Sequence, residues 1–320
     1  MKQILLSIRM LLRFKVYTFI NFTGLVFSIS CALIIARYIH QENNVDHFCP
    51  ELERTFLMTT VMDNGQTYLS GSIDPNKDPN YRNPLSDPCV EKVSQFMLFS
   101  DDYVIVDGRR FTVQAMATDS LYLDMMPHPV IAGKHTLNTP NDAIITYKLA
   151  KRLFKNENPI GKTLKVSTGD VVTVTGVIDE PSTKASVQFE IIISKNLRNS
   201  WSRMASELVQ LHRAEDVTEL NKKNQKPMEL LAYGKRPIFY QLTSLKDFYM
   251  NHNLLVYDKV LRGNRTSLSI LTIVAILLLL VGIFNYVNLH TVVMLRRARE
   301  FGIKKVFGAN GKTIFLQLYF

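Results

Sequence analysis

Three observations predict an α+β chain in which two transmembrane helices flank a large mixed α/β extracytoplasmic domain. Residues 16–36 (VYTFINFTGLVFSISCALIIA) and 268–287 (LSILTIVAILLLLVGIFNYV) each run without one Asp, Glu, Lys or Arg. Excess basic residues collect beside these two runs. Between the runs lie about 225 residues, enough to bury a core of their own, in which β-branched, alternating segments are separated by turn residues.

Each apolar run makes a helix of roughly 30 Å, the thickness of a bilayer's hydrocarbon core. A buried core helix is usually shorter and carries polar residues on one face, so two spanning helices are the better reading. A cleaved signal peptide is the rival for the first run, but its apolar stretch is shorter and ends in a small-residue cleavage site. Ser28-Ile29-Ser30-Cys31 matches a lipoprotein box only loosely, because the leucine that should stand three residues before the cysteine is missing.

The formal net charge of +10 raises the question of nucleic acid. Its distribution answers otherwise. Residues 1–15 carry +4 through Lys2, Arg9, Arg13 and Lys15. Residues 290–320 carry +5, from six basic residues against Glu300. The remaining 274 residues hold 28 basic and 27 acidic groups. Positive residues beside membrane spans stay on the cytoplasmic side, so both termini are expected inside and the central domain outside. The basicity reports topology and gives no reason to expect a nucleic-acid partner. Cys49 and Cys89 lie in the outside segment, where a disulfide is permitted; their spacing is not diagnostic, and unpaired burial fits equally well.

Along the chain, residues 1–15 place Ile4, Leu5, Ile8, Leu11 and Leu12 on one helical face, which suits a cytoplasmic amphipathic helix on the membrane or the first turns of a longer span. The expected domains are then the first transmembrane helix at 16–38, the outside domain at 39–265, the second helix at 266–289 and a cytoplasmic segment at 290–320. In the outside domain, residues 63–88 read as a long polar loop with short extended pieces. Strands are predicted at 112–117, 141–146, 163–166, 171–177, 189–194, 207–212 and 237–243. A helix through Leu149, Ala150, Leu153 and Phe154 is stopped by the turn Asn158-Pro159-Ile160-Gly161. Asp216 is the predicted N-cap of a helix carrying Val217 and Leu220.

Two Gly-Lys-Thr triplets invite a nucleotide site, and spacing removes both. A phosphate-cradling loop needs a glycine five residues before the second glycine. That position is Val306 for Gly311-Lys312-Thr313 and Asn156 for Gly161-Lys162-Thr163. The seven histidines show no zinc spacing. His128 and His135, which flank the loop at 129–133, read as surface residues. No serine sits in a nucleophile elbow and no carboxylate pair stands out, so neither a cofactor nor an enzymatic activity is expected. The inner tail is more informative. Phe301, Ile303, Val306 and Phe307 form an apolar stripe beside Lys304 and Lys305 on a short helix broken at Gly308. Such a helix is an anchor to anionic lipid or a docking element for a cytoplasmic partner.

The run Arg299-Glu300-Phe301-Gly302-Ile303-Lys304-Lys305-Val306-Phe307-Gly308-Ala309 resembles the charged segment that follows the second membrane helix in the MacB/FtsX family of ABC transporter permeases. Val45-Asp46-His47-Phe48 with Glu53-Arg54 is similar to the start of that family's periplasmic core. Pro159-Ile160-Gly161-Lys162 with Phe154 in register, and Val174-Thr175-Gly176-Val177-Ile178, resemble its internal signature. Phe284-Asn285-Tyr286-Val287-Asn288 resembles the end of its second membrane helix. The resemblance implies a bacterial inner-membrane permease subunit worked by a separate cytoplasmic ABC ATPase, active in export or in control of the envelope. It further implies pairing as a homodimer or heterodimer, contact with membrane lipids, and room for a periplasmic partner protein. Arg299, Glu300, Gly302, Ile303, Lys304, Lys305, Gly308 and Ala309 would form the ATPase-coupling helix. The family has at least four membrane helices, so this chain is expected to be its N-terminal portion, truncated within the FtsX-like domain.

Two other classes share the topology: a two-helix sensory receptor with an extracytoplasmic ligand-binding domain, and a bare membrane-anchored binding module. A receptor needs an effector domain after the second helix; a permease needs further spans. Protease added outside sealed cells should cut only within 39–265 and leave both tails protected. A C-terminus accessible from outside would overturn the topology common to all three.

Overall fold

The computed structural model describes residues 15–69, 83–197, 205–229, 236–255 and 260–308. Contacts divide the chain into two compact units, residues 41–264 and the helical unit formed by the segments before and after it. The amphipathic segment at residues 1–14 lies outside the described residues.

In the helical unit, α1 spans Lys15–Asn43 and the C-terminal helix spans Arg265–Val306. Both hold segments long and apolar enough to cross a membrane. Their hydroxyls are satisfied within the helix: Thr23 Oγ1 donates to the Phe19 carbonyl at 2.8 Å and Ser28 Oγ to the Gly24 carbonyl at 2.8 Å. That is what an apolar layer demands, because it offers no water to a polar group. The two helices meet at small residues. A Cβ on Gly24 would stand 2.7 Å from Asn285 Nδ2, and one on Gly282 would touch Ser28 and Leu25. Lipid tails give apolar side chains no reason to prefer protein, so close approach over small residues supplies the attraction. Phe19, Phe27, Ile34, Ile273 and Phe284 stay exposed accordingly.

The 41–264 unit is built on one sheet of thirteen strands among the described residues. In chain order they are β1 (Thr55–Met62), β2 (Thr67–Leu69), β3 (Val90–Val106), β4 (Arg109–Thr118), β5 (Val130–Gly133), β6 (Asp142–Thr146) and β7 (Thr163–Val166), followed by β8 (Val171–Ile178), β9 (Ile191–Ser194), β10 (Ser206–Leu211), β11 (Met228–Glu229), β12 (Pro237–Ser244) and β13 (Leu254–Leu255). The helices are α2 (Leu121–Met125), α3 (Tyr147–Phe154), α4 (Asp216–Lys223), α5 (Leu245–Phe248) and, completing the series, α6, the C-terminal helix already described. Neighbouring strands follow the order β11, β12, β1, β10, β3, β4, β9, β6, β8, β5.

β3 joins the two halves of this sheet. Its first residues, to Phe96, pair with β10, its residues from Phe96 onward pair with β4, and Val104 and Ile105 also pair with β7. The register shifts between Phe99 and Asp102, where Asp101 takes φ +60°; a bulge of this kind bends a strand and raises its twist. Side chains alternate between two buried faces. Leu57, Phe96, Met116, Ile144, Ile192 and Leu208 share one core cluster. Their neighbours on the opposite face divide into a cluster with Ala143, Ile145, Ile191 and Ile193 and another with Phe56, Met58 and Val209. Burial on both sides explains why β1, β6, β9 and β10 lack a period-2 pattern.

Most predicted elements are present. The strand expected at 163–166 coincides with β7, and those at 112–117, 141–146, 171–177, 207–212 and 237–243 correspond to β4, β6, β8, β10 and β12. The strand expected at 189–194 is shorter, starting at Ile191. α3 is capped by Thr146, whose Oγ1 accepts the Leu149 N–H at 3.3 Å. Asp216 is not the cap of α4; Glu215 holds that position, and the Asp216 carboxylate pairs with Arg213 at 2.7 Å. In the loop read at 63–88, β2 is a short extended piece, and residues 70–82 lie outside the described residues. The cysteines are free thiols, Cys49 buried.

Gly176 in β8 has no room for a side chain, since a Cβ there would run into the Lys134 carbonyl next to β5. Gly176→Ala should therefore loosen β5 and lower stability by about 1–3 kcal/mol, measured as a reduced denaturation midpoint of the full chain in detergent.

Candidate coupling sites

Two regions border the long apolar helices: the segments by which the chain leaves α1 and returns toward α6, and the inner end of α6.

The junction starts in the last turn of α1. The Glu42 side chain is only 6% exposed and ion-pairs with Lys184 Nζ at 2.6 Å. Tyr249 Oη donates to the other Glu42 oxygen, and Lys184 Nζ donates to Tyr249 Oη at 2.7 Å. Burial works against the Lys184 charge, but the Glu42 carboxylate and the Tyr249 hydroxyl outweigh it and hold its pKa above the ordinary lysine value. A buried ion pair persists only with such additional hydrogen bonds, and removing one partner leaves the other charge stranded.

Past α1 the backbone turns at Asp46, which takes φ +62°. Its N–H donates to the Lys184 carbonyl at 2.8 Å, and its Oδ1 accepts the Ser186 N–H at 2.8 Å. The Phe48 N–H donates to Thr183 Oγ1 at 3.1 Å. From the segment returning to α6, the Leu261 N–H donates to the Ser186 carbonyl and the Gly263 N–H to the Tyr249 carbonyl, both at 2.9 Å. Arg262 reaches back to the carbonyls of Phe248, Asn251 and Leu254. Gly263 is required by closeness, because a Cβ would collide with the Tyr249 ring and the Met250 side chain. Residues 183–186 thus hold both the segment that leaves α1 and the segment that leads into α6. They belong to the connection between β8 and β9.

That connection also forms a wall of an open cleft of about 790 Å³, opposite Thr112 and Gln114 of β4. Charges around it are internally matched: Lys148 pairs with Glu180, and Arg152 with Glu190 at 2.9 Å. His128, expected at the surface, is instead half-buried at the back of the cleft, packed edge-on to Phe48 at 5.3 Å and against Phe189 at 5.2 Å. Burial pushes its pKa below the ordinary histidine value. No cluster of ligating side chains that could hold a metal occurs among the described residues.

At the inner end, α6 continues without a break from its apolar part through the basic segment to Val306, so the short helix expected there is the last part of a 42-residue one. Arg299, Glu300, Gly302, Ile303, Lys304 and Lys305 occupy its final two turns. Gly308, at φ +85°, stands just beyond the end, in the left-handed conformation that commonly closes a helix. Ala309 lies outside the described residues. Ile303, Val306 and Phe307 are exposed, the last two above 80%, and share one face by their i, i+3, i+4 spacing. Of the Gly-Lys-Thr triplets, 311–313 lies outside the described residues. The other is a turn: Gly161 takes φ +82°, and Lys162 pairs with Glu157 and covers the Phe154 ring at 4.9 Å.

The junction was not foreseen from sequence. Glu42 and Asp46 are visible as acids beside an apolar run, but Lys184 is 142 residues from Glu42, with nothing local to mark it.

A family profile described as the MacB-like periplasmic core domain matches residues 18–225, more than half of the chain, and one described as the FtsX-like permease C-terminal matches residues 272–320. The chain is 26% identical over 53% of its length to the "Probable syringafactin export ATP-binding/permease protein SyfD" of Pseudomonas syringae, covering 25% of that protein. It is 23% identical over 79% of its length to the "Macrolide export ATP-binding/permease protein MacB 2" of Aeromonas hydrophila, covering 36% of it. It therefore spans about a quarter to a third of the length of these curated relatives. Among solved structures, the periplasmic region of MacB from Actinobacillus actinomycetemcomitans aligns with TM-score 0.40 and 18% identity, over 59% of this chain and 88% of that one.

Burial raises the Asp46 pKa to about 6 from 3.8, against the opposing hydrogen bonds from Ser186. Between those values the folded protein holds a proton that the unfolded chain releases, so stability falls as pH rises through the window and stays lower above it. Asp46→Asn keeps an acceptor for the Ser186 N–H and tolerates positive φ. At pH 7.5 it should be more stable than the parent by about 3 kcal/mol, converging with it near pH 4; denaturation midpoints across that range test this.

Proposed function

The chain belongs to the family defined by the MacB-like periplasmic core domain, and from that premise we propose that it is a permease subunit of an ABC-type exporter or mechanotransmission complex. In this reading ATP hydrolysis on a separate cytoplasmic ATPase subunit moves the extracytoplasmic domain. The chain itself performs no chemistry. The observation that carries the reading is the junction: the segment leaving α1 and the segment entering α6 are both hydrogen-bonded to residues 183–186. A shift of either helix along or about its axis pulls on the connection between β8 and β9. Both strands pair with β6 near the middle of the second half of the sheet.

The domain limits follow the same logic: a cytoplasmic segment at 1–15, transmembrane helices at 16–38 and 266–289, the extracytoplasmic domain at 39–265, and a coupling segment at 290–320. The division of contacts after residues 40 and 264 supports the outer boundaries. Both termini lie in the cytoplasm, which the basic flanks support. Arg299, Glu300, Gly302, Ile303, Lys304, Lys305, Gly308 and Ala309 form the element that seats in the ATPase. The exposed Ile303, Val306 and Phe307 provide its apolar contact, and the basic residues orient it. The permease works as a homodimer or heterodimer in contact with membrane lipids and an extracytoplasmic partner protein. The two relatives named above carry both ATP-binding and permease in their names, which supports an ATPase as the partner.

A cytoplasmic ABC ATPase should co-purify with the chain from its native membranes, and Glu300→Lys or deletion of residues 300–309 should abolish recovery while membrane insertion is retained. Undiminished recovery after both changes would remove the coupling role from this segment.

A further inference from the structure

β5 closes one end of the sheet, pairing with β8 on one side and with no strand on the other among the described residues. Open edges are guarded by charges, by prolines, by bulges or by being short, and β5 is both short and bulged. The sequence Val130-Ile131-Ala132-Gly133 has no charge, and Val130 and Ile131 are 45% and 46% exposed. Pairing with β8 shifts register between Val130 and Ala132. Ile131 is therefore the extra residue of a bulge, a device that re-aims a side chain. Ile131 and Ala132 form one lip of a slot whose other lip is Tyr147, Ala150 and Lys151 of α3. Its volume is about 120 Å³, well below the ~300 Å³ at which small-molecule sites begin. It has room for one aliphatic side chain.

The charge around the slot is one-sided. α3 has Lys148, Lys151 and Arg152, no acid in its first turn, and Lys155 directly after it. Lys148 is matched by Glu180 and Arg152 by Glu190. Glu157, on the rim, is taken by Lys162. Lys151 bonds the Asn156 side-chain oxygen at 3.3 Å and stands 5.4 Å from the Tyr147 ring centroid. Lys151 and Lys155 have no carboxylate within ion-pair distance among the described residues. An apolar slot with two unmatched cations beside it complements a peptide that pairs an aliphatic residue with acidic neighbours.

We propose that the slot between β5 and α3 is a docking site for an acidic segment of a partner protein. One aliphatic side chain enters between Ile131 and Tyr147, and flanking carboxylates pair with Lys151 and Lys155. This contact is independent of the ATPase.

The test uses the full chain in detergent and an array of fluorescent peptides with Leu, Ile, Val or Ala at the centre, flanked by Asp and Glu or by Lys. Acidic peptides with an aliphatic centre should bind saturably. The Ala-centred and Lys-flanked peptides should bind at least about tenfold more weakly. Lys151→Glu combined with Lys155→Glu, and separately Tyr147→Ala, should each reduce binding by a similar factor without lowering the unfolding midpoint. Ile131→Asp adds a third variant on the opposite lip. Absence of binding by every acidic peptide would overturn the proposal, as would equal affinity for Ala-centred peptides or affinity unchanged by the paired charge reversal. Binding to anionic vesicles that survives Tyr147→Ala, with no peptide bound, would assign the lysines to a lipid surface instead and equally overturn it.

Discussion

The structure outside the apolar helices depends on how the chain leaves and rejoins them. A backbone that stops being helical must find new partners for its N–H and C=O groups at once. On departure from α1, Asp46 finds them in Lys184 and Ser186; on return, Leu261 finds one in Ser186 and Gly263 another in Tyr249. Two requirements far apart in sequence are met by the same few residues. The ion pair of Glu42 and Lys184 adds a side-chain contact to the same few residues. Residues 183–186 lie within the connection between β8 and β9, and both of those strands pair with β6.

Several residues that carried the family resemblance have identifiable tasks here. Asp46 is the positive-φ turn at the junction. Arg54 donates to the Leu211 carbonyl at 2.8 Å and pairs with Glu51 and Glu91, tying the start of β1 to the end of β10. Gly161 closes the turn after α3, with its N–H on the Val174 carbonyl at 2.8 Å, and Gly176 lets β5 approach β8. Asn285 lies against Gly24 in the helical pair. The motif residues are thus mainly points where backbone passes close to backbone or turns sharply.

Much of the fold was legible because the signals were local. The apolar runs announce helices by length and the absence of charge, and β7 and β8 alternate around a turn glycine. The strands that sequence reasoning passed over share a cause. β1 is buried on both faces for six residues, so Thr55, Thr59 and Thr60 interrupt an apolar run without marking an outer face. β3 changes partners midway, and its Ser100-Asp101-Asp102 reads as a turn although it is a bulge inside a strand. The inner part of the candidate site was legible as a charged, Gly-bounded stripe. The outer part was not, because Lys184 and Tyr249 acquire meaning only when the sheet brings them to Glu42.

The continuity of α6 has a geometrical consequence. Forty-two residues of α-helix make a rod of about 63 Å, roughly twice the thickness of the hydrocarbon layer it is suited to cross. A rod pivoting at its midpoint turns small rotations into useful strokes: a tilt of about ten degrees carries each tip sideways by roughly 5 Å, close to the spacing between neighbouring strands. A proline or a broken turn along the way would absorb that stroke as bending. Gly308 stands just after the last turn, and its left-handed φ marks where the rod ends.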